Sequence, residues 1–302
     1  MKRGRGTAVA IALLLAALAA AGCGLGPGAD VGSVELTVTR EFGRDPVLQR
    51  SLEAKESDTA MRATEANADV ETRFGGGFVH AIDGVAETEH SGDPYDWFFF
   101  VDGVESPVGA ADVSLQGDER VWWDYRNWSA TNHVPAVVGS WPAPFVNGVA
   151  GKSYPVVFEC EGGGDACDTA RAALEGEGVE LASGPPKGAI RMLVGPWSRL
   201  RSDPAARLIE AGPAESGVYA TFRGDGLVAL DESGNEARDL GPDAGLVAAT
   251  SLFGGPPVWL VTGGTAAAVR EAAAALNQKH LRDHYAVAIE DGQEMPLPEA
   301  GR

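Results

Sequence analysis

The sequence predicts an α+β first half followed by a separate α/β second half. Three observations carry this. From Val34 to Arg126 the order reads strand, helix, hairpin, strand, strand, which suits one sheet with a helix laid across it. From Tyr154 onward strands alternate with helices, the pattern of an α/β unit. Between them, residues 129–152 hold Pro135, Trp141, Pro142 and Pro144 with little periodicity, and read as a packed connector. The expected organisation is a signal over 1–22, a tether over 23–33, a first domain over 34–128, the connector, and a second domain over 153–298.

In the first half, Val34, Leu36 and Val38 alternate with Glu35, Thr37 and Thr39, the signature of a half-buried strand. Pro46–Glu56 reads as polar and irregular. Ser57-Asp58 is placed to cap a helix through Met61, Thr64 and Ala68. Val70–Phe74 and Phe78–Val85 flank three glycines and predict a hairpin. Asp96–Val104 is a strongly apolar strand with Asp102-Gly103 as its turn. Leu115–Asp118 is a second turn leading into the strand Arg120–Arg126.

In the second half, Val156–Cys160, Ala189–Val194, Val218–Phe222, Leu227–Leu230 and Pro257–Thr262 read as strands. Asp165 or Asp168 caps a helix through Leu174, and Asp203–Ala211 is another helix. Thr265–His284 reads as one long Ala-rich helix, Tyr285–Glu290 as the last strand, and Pro296 and Pro298 as the end of the fold.

The N-terminus is built for export. Lys2, Arg3 and Arg5 precede an uncharged apolar run from Ala8 to Ala21, and small residues lead to Cys23. That run of 14 residues is shorter than the ~18–20 a membrane-spanning helix needs. Two cleavage routes are open. Ala17-Leu18-Ala19 suits ordinary signal peptidase and a secreted product. Ala20-Ala21-Gly22-Cys23 is similar to the bacterial lipobox, which implies a diacylated Cys23 at the outer face of the membrane. Cysteine arithmetic favours lipidation: Cys160 and Cys167 are close enough to pair, which leaves Cys23 as the odd thiol. An oxidising compartment permits that disulfide. A metal site is the other reading of the pair, and no nearby His supports it.

The formal net charge of −19 becomes −22 once the three positive charges of Lys2, Arg3 and Arg5 leave with the signal. Such a chain is unsuited to nucleic acid, whose phosphates need a basic surface. It is also unsuited to electrostatic docking on anionic lipid, so membrane attachment falls to the anchor.

Trp97-Phe98-Phe99-Phe100-Val101-Asp102-Gly103 is similar to the Trp-x-Tyr/Phe-x-Val-Asn/Asp-Gly motif of the C-terminal domain of transcobalamin and intrinsic factor. Leu115-Gln116-Gly117-Asp118, with Val121, Trp122, Asp124 and Tyr125 after it, resembles that family's turn and following strand. Phe74–Val79 and Ile82-Asp83-Gly84 are similar to its bacterial exported members. The resemblance covers about residues 33–128. It implies a β-grasp-like fold and a ligand-binding role, with a cobalamin-like molecule as one ligand. The animal carriers complete their cage with a helical barrel, and nothing in this chain resembles it.

Five of the seven tryptophans lie between positions 97 and 141. Trp97, Phe99, Trp122, Asp124 and Trp128 are therefore the candidate ligand-binding residues, as an aromatic platform with one carboxylate. The competing reading is packing, with Asp124 bonded to a Trp N–H or a backbone amide. His280 and His284 lie one helical turn apart, but the central Glu of a zinc-protease motif is missing, so no metal is expected. Gly162–Gly164 precedes a helix, but no Lys follows and Glu161, Asp165 and Asp168 would repel a phosphate. No nucleophile elbow or Cys–His pair is present, so neither an enzyme nor a cofactor is expected. The expectation is an extracytoplasmic lipoprotein that binds a small ligand or presents it to a membrane transporter. The alternative is a cell-surface structural or protein-interaction module with no small ligand.

Overall fold

The computed structural model describes residues 28–86, 89–90, 92–184 and 188–300. The expected signal, Cys23 and most of the tether lie outside the described residues. Among the described residues no helix is long and apolar enough to cross a membrane.

The first half contains β1 (Asp30–Arg40), β2 (Asp45–Lys55), α1 (Ala60–Glu65), β3 (Val70–Arg73), β4 (Phe78–Ile82), β5 (Val85–Ala86), β6 (Glu89–His90), β7 (Asp93–Val101), β8 (Val104–Glu105) and β9 (Arg120–Asn127). One sheet runs β2-β1-β9-β7-β6, with β8 on β7. Its central pair, β1 and β9, is parallel, while β2 and β7 flank it antiparallel. The small sheet β3-β4-β5 lies beside it. A short helix, α2 (Ala143–Asn147), interrupts the connector.

The second half contains β10 (Val156–Cys160), α3 (Asp165–Gly176), β11 (Ile190–Pro196), α4 (Trp197–Leu200), α5 (Pro204–Ala211), α6 (Pro213–Ser216), β12 (Ala220–Arg223), β13 (Gly226–Leu230), β14 (Glu236–Gly241), β15 (Gly245–Ser251), β16 (Pro257–Gly263), α7 (Ala266–Ala274), α8 (Gln278–Leu281), β17 (Ala286–Glu290) and β18 (Gln293–Leu297). Its main sheet runs β10-β11-β16-β15-β17-β18, parallel over the first three strands and antiparallel beyond them. A meander, β12-β13-β14, forms a separate small sheet whose Phe222, Leu227 and Leu240 pack into the same core as Trp122 and Tyr285.

Side-chain alternation builds three cores. On the outer face of the first sheet, Val121, Trp123 and Tyr125 pack with Met61 of α1 and with Trp97. On the outer face of the second sheet, Met192, Val194, Val247, Trp259 and Ile289 pack under α3 and α7, with Trp141 and Phe145 of the connector. The two inner faces share one core. Phe42, Phe100 and Trp122 meet Leu193, Trp197, Tyr219, Leu260 and Tyr285 there. The halves are thus fused by buried apolar surface, and each such aromatic contributes roughly 1.5–3 kcal/mol by leaving water.

Several expectations need correcting. Pro46–Glu56 is no irregular stretch: it supplies most of β2, an edge strand paired with β1, whose Val47, Leu48 and Leu52 pack on the core while Gln49, Arg50 and Ser51 stay largely in solvent. The helix after Ser57 is capped by Thr59 and stops at Glu65, short of Ala68. The N-cap of α3 is Gly164, not Asp165 or Asp168. β14 and β15 were not expected. β15 is buried along its whole length, so no polar alternation marks it. The long helix from Thr265 breaks: α7 ends at Ala274, and the Asn277 side chain accepts from His280 N to start α8. Tyr285–Glu290 is not the last strand, since β17 turns at Asp291-Gly292 into β18. Pro296 sits within β18, which is tolerated because that strand is an edge.

Candidate functional site

Trp122 lies at the centre of the shared core, where two glycines admit the opposing backbone. A Cβ at Gly139 would sit 2.7 Å from His284 N and 2.8 Å from the Trp122 ring. One at Gly43 would overlap the Asp283 carbonyl. Asp124, on the same face of β9, is completely buried and satisfied by protein. Its Oδ1 accepts from Thr39 Oγ1 (2.6 Å) and Gly43 N (3.1 Å); its Oδ2 accepts from Phe42 N (3.0 Å) and the Tyr285 hydroxyl (3.0 Å). Trp122 Nε1 donates to Thr39 Oγ1 at 2.8 Å. Burial pushes the Asp124 carboxyl up, while these donors and nearby Arg126 oppose the shift. Burial, and then the Asp124 charge, push Tyr285 well above its ordinary value.

The residues selected from sequence therefore do not converge on one cavity. Trp97 is buried on the outer face of the sheet, its Nε1 donating to Val85 O at 3.0 Å. Phe99 stacks on Trp123 at 4.7 Å. Trp122 and Asp124 are walled in by the second half, which occupies the space a ligand would need. Only Trp128 reaches solvent appreciably, at 37% exposure. Cys160 and Cys167 form a disulfide, with Cα atoms 5.9 Å apart, that ties β10 to the first turn of α3. His280 pairs with Glu294, and burial lowers the pKa of His284. Among the described residues no group of three or more His, Cys, Asp or Glu could hold a metal.

Two cavities do open, side by side, at the end of the molecule where the chain enters β1. The first is a polar cleft of about 650 Å³ between the β1–β2 edge, the connector and α8. Its floor is an ion network that crosses the junction of the halves. Arg120, itself buried, pairs with Asp283 and reaches Thr37 Oγ1 at 3.3 Å, Glu35 at 4.0 Å and the Gly139 carbonyl. Arg282 pairs with Glu35. Burial lowers the Arg120 pKa against the pull of Asp283. Ser140 and Trp141 line this cleft, and Ser140 Oγ and Trp141 Nε1 find no hydrogen-bond partner among the described residues.

The second cavity, of about 550 Å³, lies between the loop after β8 and Val149–Gly151. Its apolar lining includes Val101, Val104, Val108, Val113 and Val149. Glu119 lines both cavities. It is 4% exposed, and its Oε2 accepts from Gln116 N at 2.7 Å. Burial, helped by the Asp102 charge, pushes its carboxyl up to about 7. Asp102, pushed to about 6 by burial, accepts from Arg120 N (2.8 Å) and Asn147 Nδ2 (3.1 Å), and so joins β9 to α2.

Sequence reasoning missed Arg120 and Glu119. A signal for both was present. Asp118-Glu119-Arg120 runs straight into an apolar strand, so alternation puts Glu119 on the Val121 face and Arg120 on the Trp122 face. Charged residues opening such a strand must find partners or a cavity.

No curated protein matches the chain. A crystal structure of a candidate metal-binding protein from Ruminococcus gnavus is similar over 32% of this chain and 97% of its own, with 12% identity and a TM-score of 0.25. Residues 57–127, from the residue before Asp58 through the end of β9, match the family model of a domain of unknown function, DUF4430.

Proposed function

We propose that this chain is an exported, membrane-anchored binding protein whose ligand site is the polar cleft at the anchored end of the fold. The observation that carries this reading is the lining of that cleft, in which Arg50, Arg120 and Arg282 stand with Glu35, Asp118 and Glu119. A cleft of about 650 Å³ suits a small molecule. Mixed charge on its walls suits a polar ligand better than an apolar one. A cobalamin-like ligand finds less support, because the aromatic face that would stack on it is occupied by the second half.

Export and lipidation at Cys23 belong to the same proposal. Ser33 of β1 lines the cleft, and Val31 packs on Gly117, beside Gln116 of the apolar cavity. Asp30 lies seven positions beyond Cys23, a reach of at most ~25 Å. Both cavities would then open close to the membrane, where passing a ligand to a transporter is geometrically simple. The order β2-β1-β9-β7 with a parallel central pair supports the β-grasp-like reading of the first half. The role is one of binding, without catalysis.

Thermal-shift screening of the full chain against small polar molecules tests the site. A hit that weakens at least fivefold in both Gln49→Ala and Arg50→Ala, two exposed residues of the cleft wall, supports it, and hits indifferent to both variants reject it. Acyl labelling tests the anchor: wild type incorporates an alkynyl fatty acid and Cys23→Ser does not.

A second reading, an interaction module without a small ligand, is favoured by the filled shared core. It predicts silence across the screen and a stable crosslinked protein partner.

A further inference from the structure

The apolar cavity differs from the polar cleft beside it in one respect that bears on what it holds. Its lining includes three carboxylates, Glu105, Asp112 and Glu119, and no Lys, Arg or His. Asp112 is exposed at the rim. Glu105 is occupied: its Oε2 accepts from Val134 N at 2.5 Å and lies 3.3 Å from His133 Nδ1. Glu119 is almost fully buried, accepts one backbone N–H, and makes no ion pair among the described residues. Asp102 is the charge that acts on it, Asp118 and Arg120 flank it in the chain, and Glu35, Arg50, Glu177 and Arg282 line the polar cleft on its other side. The Arg120 guanidinium is already committed to Asp283, Glu35, Thr37 and Gly139.

A buried carboxylate without a cation stays protonated or acquires one. From this geometry we infer that the apolar cavity is a site for a small organic cation, a protonated amine on a compact apolar body, with Glu119 as its counter-ion and the valines as its walls. The inference deepens the binding reading above and rests on it, but names a different cavity. It does not require the amine to be free: an amine-bearing headgroup of a lipid presents the same chemistry.

The carboxyl pushed up to about 7 gives the site a pH signature. Below pH 6 Glu119 holds its proton and offers an amine no charge. Above pH 8 it is ionised while an alkylamine, like Lys, remains protonated up to about pH 10. Binding of the cation therefore strengthens as pH rises.

Calorimetry on the full chain tests this with hexylamine, hexanol and hexanoate as probes, and vesicles with and without phosphatidylethanolamine to separate a lipid headgroup from a free amine. Hexylamine is expected to bind at least tenfold tighter than hexanoate at pH 8, and at least fivefold tighter at pH 8 than at pH 5.5. Glu119→Gln, which keeps the acceptor for Gln116 N, is expected to remove both preferences. Val108→Trp, at the half-exposed rim, is expected to abolish binding without touching Glu119. Equal binding of hexylamine and hexanoate, or a Glu119→Gln variant that keeps the preference for the amine, would overturn the inference. So would no hexylamine binding in a chain that gives hits in the polar cleft, an outcome that leaves the binding reading intact.

Discussion

Asp124, in the middle of β9, and Glu119, just before that strand, lie five positions apart, and the chain treats them in opposite ways. Asp124 faces the shared core and receives four donors from β1, the loop after it, and Tyr285. Glu119 faces two cavities and receives one backbone N–H. Both are buried carboxylates, and burial pushes both up. The difference is in what surrounds them: a closed shell of protein donors at Asp124, and an unfilled volume at Glu119. A carboxylate with a full set of donors holds a junction together. One left short of partners beside open space is available to a ligand.

Variants sharpen this contrast. Asp124→Ala strands the Thr39 and Tyr285 hydroxyls and two backbone amides, and should destabilise the chain by on the order of 4 kcal/mol in urea unfolding. Gly139→Ala drives a methyl into His284 and Trp122 and should cost about 1–3 kcal/mol without altering any charge. Tyr285→Phe removes one donor to Asp124 and should cost about 1–2 kcal/mol. If Tyr285→Phe proves as damaging as Asp124→Ala, the hydroxyl alone carries the junction and the four-donor account fails.

Glu119→Gln should have the smallest effect, and one that depends on pH. The folded carboxyl sits near 7, above the ordinary carboxylate value of the unfolded chain. The folded state therefore binds the proton more tightly, and this stabilisation is complete below about pH 4 and lost as pH rises through 7. Asp102, near 6, acts in the same direction. Melting temperature should fall between pH 5 and 8 in the wild type and fall less in Glu119→Gln. An equal fall in both would remove Glu119 from the account.

How much of this was legible in the sequence depended on how local the signal was. Asp83-Gly84, Asp102-Gly103 and Asp291-Gly292 all turn with positive φ at both residues, the geometry of two-residue hairpin loops. Of these, only Asp102-Gly103 reads as a turn from sequence; Asp83-Gly84 falls inside the expected strand Phe78–Val85, which ends instead at Ile82, and Asp291-Gly292 falls beyond the expected last strand. β1 was legible from alternation although Thr37 and Thr39 are buried as well, because its second face buries polar side chains that bond Arg120 and Asp124; β15, apolar on both faces, carries no alternation. The cavities were invisible for a different reason. Arg120 meets Asp283 across 163 positions, and no local pattern pairs them. The aromatic cluster suggested a platform, and only the second half, packed against Trp122, turns it into a core.

The most direct test of the central contrast is a hexylamine titration of the full chain at pH 8, followed through 13C-labelled valine methyls. The account predicts saturable shifts at Val101, Val113 and Val149 of the apolar cavity, and still signals at Val134 and Val137 of the shared core. Shifts that begin at Val134 and Val137 would contradict it, because they would put the open volume beside Trp122 and Asp124 rather than beside Glu119.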